Sequence, residues 1–297
     1  MLKSLDDLKL HIGNVRKKRL VVCNAHDDYI IDAITKAKEL GFVEAVLIGR
    51  KVEIIDLLNK RNKNVNDYVI VDSNDDVESA YLAVEMIRVN KADILMKGLI
   101  DTNVLLKAVV NKETGIREKK LLSHVTLLSY PNFNRVLFAT DCAMVINPSL
   151  DDKQEIIENA LTVTKSLGYS KPLVGIVSAV EKVNPKMQST VDASLLKEIY
   201  KNRSDLVLDG PFAIDNLVSF ESAKHKNITS NVAGTCDILV FPNIESGNVF
   251  YKTSVFLANA TAAGIIIGAK CPIVLTSRAD SSESKLNAII LSVIYNG

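Results

Sequence analysis

The sequence predicts an α/β protein built from two doubly wound α/β lobes with an interlobe cleft, and three observations carry that expectation. From Arg19 onward, short apolar runs alternate with longer amphipathic stretches, the pattern of strands joined by crossover helices. The alternation breaks between Gly115 and Asp141 and then resumes. At 297 residues the chain also exceeds the usual size of one hydrophobic core.

Taken in order, the first lobe reads as strand 20–23, helix 29–40, strand 45–48, helix 52–61, strand 68–71, helix 76–90 and strand 93–96. Strands this short, separated by whole helices, do not pair as hairpins, so a parallel sheet is expected. The rhythm then changes. Two apolar runs, 124–130 and 135–139, flank Pro131-Asn132-Phe133-Asn134 and read as an antiparallel hairpin that opens the second lobe. Helix 153–167, strand 173–179, helix 189–200, strand 206–208, strand 238–241 and helix 247–263 follow. The apolar run after Pro272 reads as a buried strand. Helix 283–295, with Leu286, Ile289, Ile290 and Val293 at three-to-four spacing, returns the chain to the first lobe. The lobes are therefore expected at 1–117 plus 268–297 and at 118–267.

Composition narrows the function classes. Lys plus Arg number 36 against 35 Asp plus Glu, a net charge of +1, so no global field draws the protein to nucleic acid or to a membrane surface. The apolar stretch 256–269 is interrupted by Asn259, Thr261 and Gly264, and no run has the length of a membrane span. The N-terminus lacks the charged, apolar and cleavage regions of a signal peptide. Cys23, Cys142, Cys236 and Cys271 form no C-x-x-C pair and suit buried thiols in a reducing compartment, so a cytoplasmic location is expected. His11, His26, His124 and His225 lack metal-ligand spacing, and no metal is expected. No G-x-G-x-x-G occurs, and Lys252 stands where a phosphate loop beginning at Gly247 requires its second glycine.

Two segments carry candidate chemistry. Thr276-Ser277-Arg278-Ala279-Asp280-Ser281 falls where a buried strand ends and a helix begins, the place where open α/β sheets bind anions. A polar loop with Arg278 paired to Asp280 explains the same residues equally well. The loop Lys97-Gly98-Leu99-Ile100-Asp101-Thr102-Asn103 combines a tight turn at Gly98 with a helix start capped by Thr102 or Asn103. On spacing alone, an ordinary capped loop with a surface lysine is the favoured reading there. Asp141-Cys142 reads as a structural thiol at a strand end, not as a nucleophile.

Further segments complete a recognisable order: Thr140-Asp141-Cys142-Ala143 with Asn147-Pro148, Asp209-Gly210-Pro211 with Asp215-Asn216, and Ala223-Lys224-His225-Lys226. Pro242 with Glu245-Ser246-Gly247-Asn248 and Tyr251-Lys252, and then Gly268-Ala269-Lys270, follow. With Lys97-Gly98, Asp101-Thr102 and the 276–281 cluster, they make the chain resemble the phosphate acetyltransferase and phosphate butyryltransferase family, nearer the butyryltransferase branch, from roughly Lys91 onward. The resemblance implies an isocitrate-dehydrogenase-like architecture. It also implies reversible transfer of a short acyl group, butyryl favoured, between coenzyme A and inorganic phosphate, without metal or tightly bound cofactor.

In the acetyltransferase branch, the serine and arginine matching Ser277 and Arg278 are implicated in catalysis and phosphate binding. An aspartate seven residues after that serine is proposed to take the thiol proton. Here Ser284 stands at that offset, so the base is open. Glu283 or Asp280 are candidates, and a lysine or helix terminus stabilising the thiolate is the alternative, since a thiol of pKa about 8.5 needs little help. The candidate catalytic residues are thus Ser277, Arg278, Asp280 and Glu283. Lys97, Gly98, Thr102, Asn103, Lys252 and Lys285 are candidates for phosphate and coenzyme A contacts. A homo-oligomer acting on small molecules is expected. Competing readings are a phosphate acetyltransferase, a metal-dependent hydroxyacid dehydrogenase of the same architecture and a catalytically silent regulatory domain.

Overall fold

The computed structural model describes residues 2–12, 16–277 and 280–296. In chain order it begins with a short 3-10 turn and α1 (Leu8–His11), then β1 (Lys18–Cys23), α2 (Asp28–Glu39), β2 (Val43–Gly49), α3 (Lys51–Lys60), β3 (Val69–Asp72), α4 (Asp76–Arg88), β4 (Ile94–Lys97) and α5 (Thr102–Val109). Next come β5 (Ser123–Tyr130), β6 (Phe133–Thr140), α6 (Leu150–Ser166), β7 (Leu173–Val177), α7 (Gln188–Tyr200), β8 (Val207–Phe212), α8 (Ile214–Val218), α9 (Phe220–His225), β9 (Ile238–Val240) and α10 (Ile244–Phe256). The chain ends with β10 (Thr261–Ile267), β11 (Ile273–Val274) and α11 (Ser282–Tyr295). Two compact units result, the first holding Asp6–Leu122 and 262–296, the second 2–5 and Ser123–Thr261.

The first unit carries its strands in the order β3-β2-β1-β4-β11-β10. All neighbours run parallel except β10 and β11, which pair antiparallel with Ile265 opposite Val274. The wholly parallel sheet expected for this lobe is corrected at that edge. The connection 268–272 is too short for a crossover, so its strands must reverse. It turns at Gly268, φ +111°, whose carbonyl accepts the N–H groups of Glu118 and Lys119 at 3.0 and 2.9 Å. β1 is buried on both faces through Leu20, Val21, Val22 and Cys23, as a strand covered by helices on either side must be. α2 begins where Asp27 accepts the Ile30 N–H at 3.0 Å and buries Ile30, Ile31, Ile34 and Ala37 at helical spacing. α11 packs on α2 and β11, and its Leu286, Ile289, Ile290 and Val293 are buried.

In the second unit the strand order is β5-β6-β9-β7-β8. β5 and β6 form the expected antiparallel hairpin, and the other neighbours are parallel. α6 opens on a capping box between Ser149 and Asp152.

Helix 247–263 is the clearest departure from expectation. Asn243 caps α10 by accepting the Ser246 N–H at 3.0 Å, so the helix starts at Ile244. It stops at Phe256, with Asn259 at φ +53°, and 261–267 form β10 instead. A continuous apolar run has no period by which helix and strand are told apart. The short helices α8 and α9 carry no such pattern and were not anticipated. The units divide at Leu122 and Thr261, against expected boundaries at 117/118 and 267/268. The chain start joins the second unit because Leu2 accepts the Val136 N–H at 3.1 Å and donates to the Tyr169 hydroxyl at 3.2 Å.

Candidate functional site

In the first unit the order of strands puts the carboxyl ends of β1, β4 and β11 side by side. Cys23 lies opposite Lys97, and Leu95 and Met96 lie opposite Ile273 and Val274. The chain leaves β1 and then β4 on either side of one point, where the strand order reverses and open α/β sheets hold ligands.

Gly98 closes that point tightly. A Cβ on it would stand 2.1 Å from the Asn24 carbonyl oxygen and 2.4 Å from that of Cys23. Its N–H donates to the Cys23 carbonyl at 2.8 Å, and Leu99 N–H to that of Asn24 at 2.7 Å. Asn24, at φ +56°, also donates its side-chain amide to Asp76 Oδ1 at 2.6 Å. Lys97 is not on the surface. It is 5% exposed and its ammonium donates to the Gly98 carbonyl at 3.3 Å. The helix start also differs from expectation, because Asp101, extended at φ −66° and ψ 134°, occupies the N-cap position of α5. Thr102 is therefore the first helical residue, half-buried, and Asn103 follows it exposed; neither is the cap.

The segment after β11 forms a closed knot of bonds. Ser277 N–H donates to Asp280 Oδ2 at 2.6 Å, and Asp280 N–H returns a bond to the Ser277 carbonyl at 3.2 Å. Lys285, one turn into α11, donates to the carbonyls of Ser277 at 3.1 Å and Asp280 at 2.6 Å. Its ammonium lies 5.9 Å from the centre of the Tyr29 ring. Asp280 and Lys285 are both buried. Burial pushes the Lys285 pKa down, against the opposing pull of Asp280 and Asp27. Ser281 caps α11 by accepting the Ser284 N–H at 3.2 Å, and Glu283 is exposed in the first turn. Arg278 and Ala279 lie outside the described residues, and with them the expected Arg278 to Asp280 pair.

Lys97 ends β4, and Gly98, Thr102, Asn103, Ser277, Asp280, Glu283 and Lys285 follow β4 or β11, strands that end together in the first unit. Lys252 is exposed on α10 of the second unit. In that unit the turn after β6 is organised by Asp141, 2% exposed. Its Oδ1 accepts the N–H groups of Ala143 and Met144 at 2.7 and 2.8 Å, and its Oδ2 that of His124 at 3.0 Å. Burial nevertheless pushes its pKa up to about 6, those donors opposing the shift. Burial likewise raises the Cys142 thiol well above its ordinary value, which leaves it protonated and unreactive. The start of α10 rests on this turn: a Cβ on Gly247 would stand 2.3 Å from the Asp141 carbonyl oxygen, and the Asn248 amide donates to the Cys142 carbonyl at 3.1 Å. His124 is buried with Nδ1 lacking a partner, and burial lowers its pKa to about 4.

Asn24 and Tyr29 contribute to the first unit's turns and were not singled out from the sequence, whereas Asp141 was noted only beside Cys142 and as part of a motif, not as the residue that organises its turn. Only Asn24 had a usable signal, a polar residue directly after the first strand. Among the described residues no three of His, Cys, Asp and Glu are grouped so as to hold a metal ion, and no helix is long and apolar enough to cross a membrane.

Comparison with known proteins identifies the family. The family described as phosphate acetyl/butaryl transferase matches residues 57–293. A phosphate butyryltransferase of Clostridium acetobutylicum is 40% identical over 300 residues, covering 100% of this chain and 99% of its own. A phosphate acetyltransferase of Thermotoga maritima is 40% identical over 280 residues, covering 94% of this chain and 95% of its own. The crystal structure of a branched-chain phosphotransacylase from Enterococcus faecalis superimposes with a TM-score of 0.84 at 31% identity, covering 94% of this chain and 99% of that one. With a family match across most of its length and relatives of this identity aligned nearly end to end, the chain belongs to the phosphate acetyl/butaryl transferase family.

Proposed function

We propose that this chain is a cytoplasmic acyltransferase that moves a short acyl group, butyryl in preference to acetyl, reversibly between coenzyme A and inorganic phosphate. The observation that carries the reading is the 40% identity to a phosphate butyryltransferase along the whole chain. In one direction a phosphate oxygen attacks the thioester carbonyl, and the oxyanion that forms collapses to acyl phosphate. The carbon–sulfur bond breaks, and the thiolate leaves and takes a proton. In the other direction the thiolate attacks the acyl phosphate and phosphate departs. Both directions ask for cations and hydrogen-bond donors around phosphate and oxyanion more than for a protein nucleophile.

In this reading Arg278 provides a planar fork for phosphate oxygens, and Ser277 donates to the oxyanion or orients the thiol. The amino terminus of α11, fourteen residues long, adds a favourable field for the anion. Four buried free cysteines suit the reducing interior of a cell, and a homo-oligomer is part of the same proposal.

The test is release of free coenzyme A from acetyl-, propionyl-, butyryl- and isobutyryl-coenzyme A, with and without phosphate. Phosphate-dependent release that is fastest with four-carbon groups supports the reading. Absence of phosphate-dependent release from all four refutes it. An acetyl preference supports the second reading, favoured by the equal identity to the Thermotoga maritima acetyltransferase. One methylene is worth only about 1–3 kcal/mol of discrimination, so rates must be compared across the series.

A further inference from the structure

We propose that Asp280 and Lys285 clamp the backbone of Ser277 and act on the reaction through that residue, as positioning residues. The inference rests on the assignment of Ser277 to the reacting site. Both polar groups of the Ser277 main chain are held from within the first unit. The N–H goes to Asp280 Oδ2 at 2.6 Å, and the carbonyl takes the Asp280 N–H at 3.2 Å and the Lys285 ammonium at 3.1 Å. Lys285 also donates to the Asp280 carbonyl at 2.6 Å, so Ser277 and Asp280 are both tied to one point on α11.

The chemistry of Lys285 makes this a built device. At 2% exposure an ammonium needs compensation for its lost water, and here two main-chain carbonyls and the Tyr29 ring at 5.9 Å provide it. A lysine meant to meet phosphate would present its charge to the ligand, whereas this one directs hydrogen bonds at the loop. Asp280, 4% exposed, likewise uses an oxygen on the Ser277 N–H. Glu283 is exposed on the first turn of α11.

The experiment compares wild type with Asp280→Ala, Asp280→Asn and Lys285→Met. Its readouts are kcat, the KM values for acyl-coenzyme A and phosphate, the pH profile, and amide hydrogen exchange of peptides spanning 275–285. A loop displaced by an ångström typically costs about a hundredfold, so Asp280→Ala and Lys285→Met are expected to lower kcat by about that factor with the phosphate KM little changed. Exchange in the peptide speeds up in both. Asp280→Asn still offers the Ser277 N–H an oxygen, so it recovers kcat to within about fivefold of wild type and keeps the acid limb of the profile.

Asp280→Asn as impaired as Asp280→Ala, with the acid limb lost, would make Asp280 the proton acceptor and overturn the proposal. A raised phosphate KM at unchanged kcat in Lys285→Met would make Lys285 a phosphate ligand, with the same consequence. Unchanged exchange in both Asp280→Ala and Lys285→Met refutes the clamp whatever the substrate. Wild-type protein without phosphate-dependent thiol release refutes the proposed function instead, and the exchange measurement still decides the clamp. If Lys285→Met does not fold, the two Asp280 variants carry the test.

Discussion

Gly98→Ala is the substitution whose outcome follows most directly from the geometry. The added methyl would stand 2.1 Å from the Asn24 carbonyl oxygen, 2.4 Å from that of Cys23 and 2.7 Å from the Asn24 carbonyl carbon. All three are main-chain atoms, so no rotamer change relieves the overlap. Carbon and oxygen approach no nearer than about 3.3 Å without repulsion, and residue 98 must therefore retreat by about 1 Å. Such a shift breaks the Gly98 N–H bond to Cys23 at 2.8 Å and the Leu99 N–H bond to Asn24 at 2.7 Å. Each buried group left unpaired costs roughly 1–3 kcal/mol, which gives a loss of about 4 kcal/mol for the pair.

Because the segment that follows leads into Thr102 and Asn103 at the start of α5, the same shift is expected to lower turnover about a hundredfold. Gly168→Ala supplies the control. Gly168 has φ +81° but nothing within 4 Å of its missing Cβ, so only left-handed strain of about 1 kcal/mol is incurred and turnover holds. Urea midpoints and thiol release would be measured on both variants. A Gly98→Ala protein indistinguishable from Gly168→Ala in both assays would refute the close-approach argument.

Three further outcomes are expected. Arg278→Ala lowers turnover by roughly a hundredfold or more with the urea midpoint held, since one donor to the transition state is worth about 3 kcal/mol; wild-type turnover would remove Arg278 from the reaction. Lys153→Met leaves the buried Asp192 carboxylate without its cation and costs roughly 3–5 kcal/mol, whereas a Lys153→Met, Asp192→Leu double variant regains most of it; a single variant of native stability would contradict this. His124, lowered to about 4, is charged only in the unfolded chain between its ordinary pKa near 6.5 and that value, so its contribution is present above pH 6.5 and lost as the pH falls. Asp141, raised to about 6, works in the opposite sense, favouring the fold at low pH and losing that contribution as pH rises through 6. His124→Leu removes only the first of these, so its stability relative to wild type should rise by about 3 kcal/mol between pH 7 and pH 4; a constant difference would show the ring is not held neutral.

The alternation of strand and helix up to β4 was legible because each helix keeps an apolar stripe, as Ile30, Ile31, Ile34 and Ala37 do on α2, and each strand is short and bounded by polar residues. β10 was not, because its apolar run has no period, and its pairing with β11 is what shows it to be a strand. The candidate site divides in the same way. That Ser277 to Ser281 follow a buried strand and precede a helix could be read from Pro272 to Val293. That Lys285 and Lys97 are buried could not, since the burial of a lysine depends on neighbours distant in the chain.

Most elements and their order, β10, α8 and α9 apart, were legible from local periodicity, and the order of short motifs carried the family resemblance, because both are properties of the chain read end to end. The tertiary structure alone decided which strand ends stand together, that Gly98 touches the end of β1, and that Asp280 and Lys285 hold Ser277. Those facts depend on strand order and burial, and burial turns a charged side chain from a ligand for solvent or substrate into a partner for main-chain carbonyls.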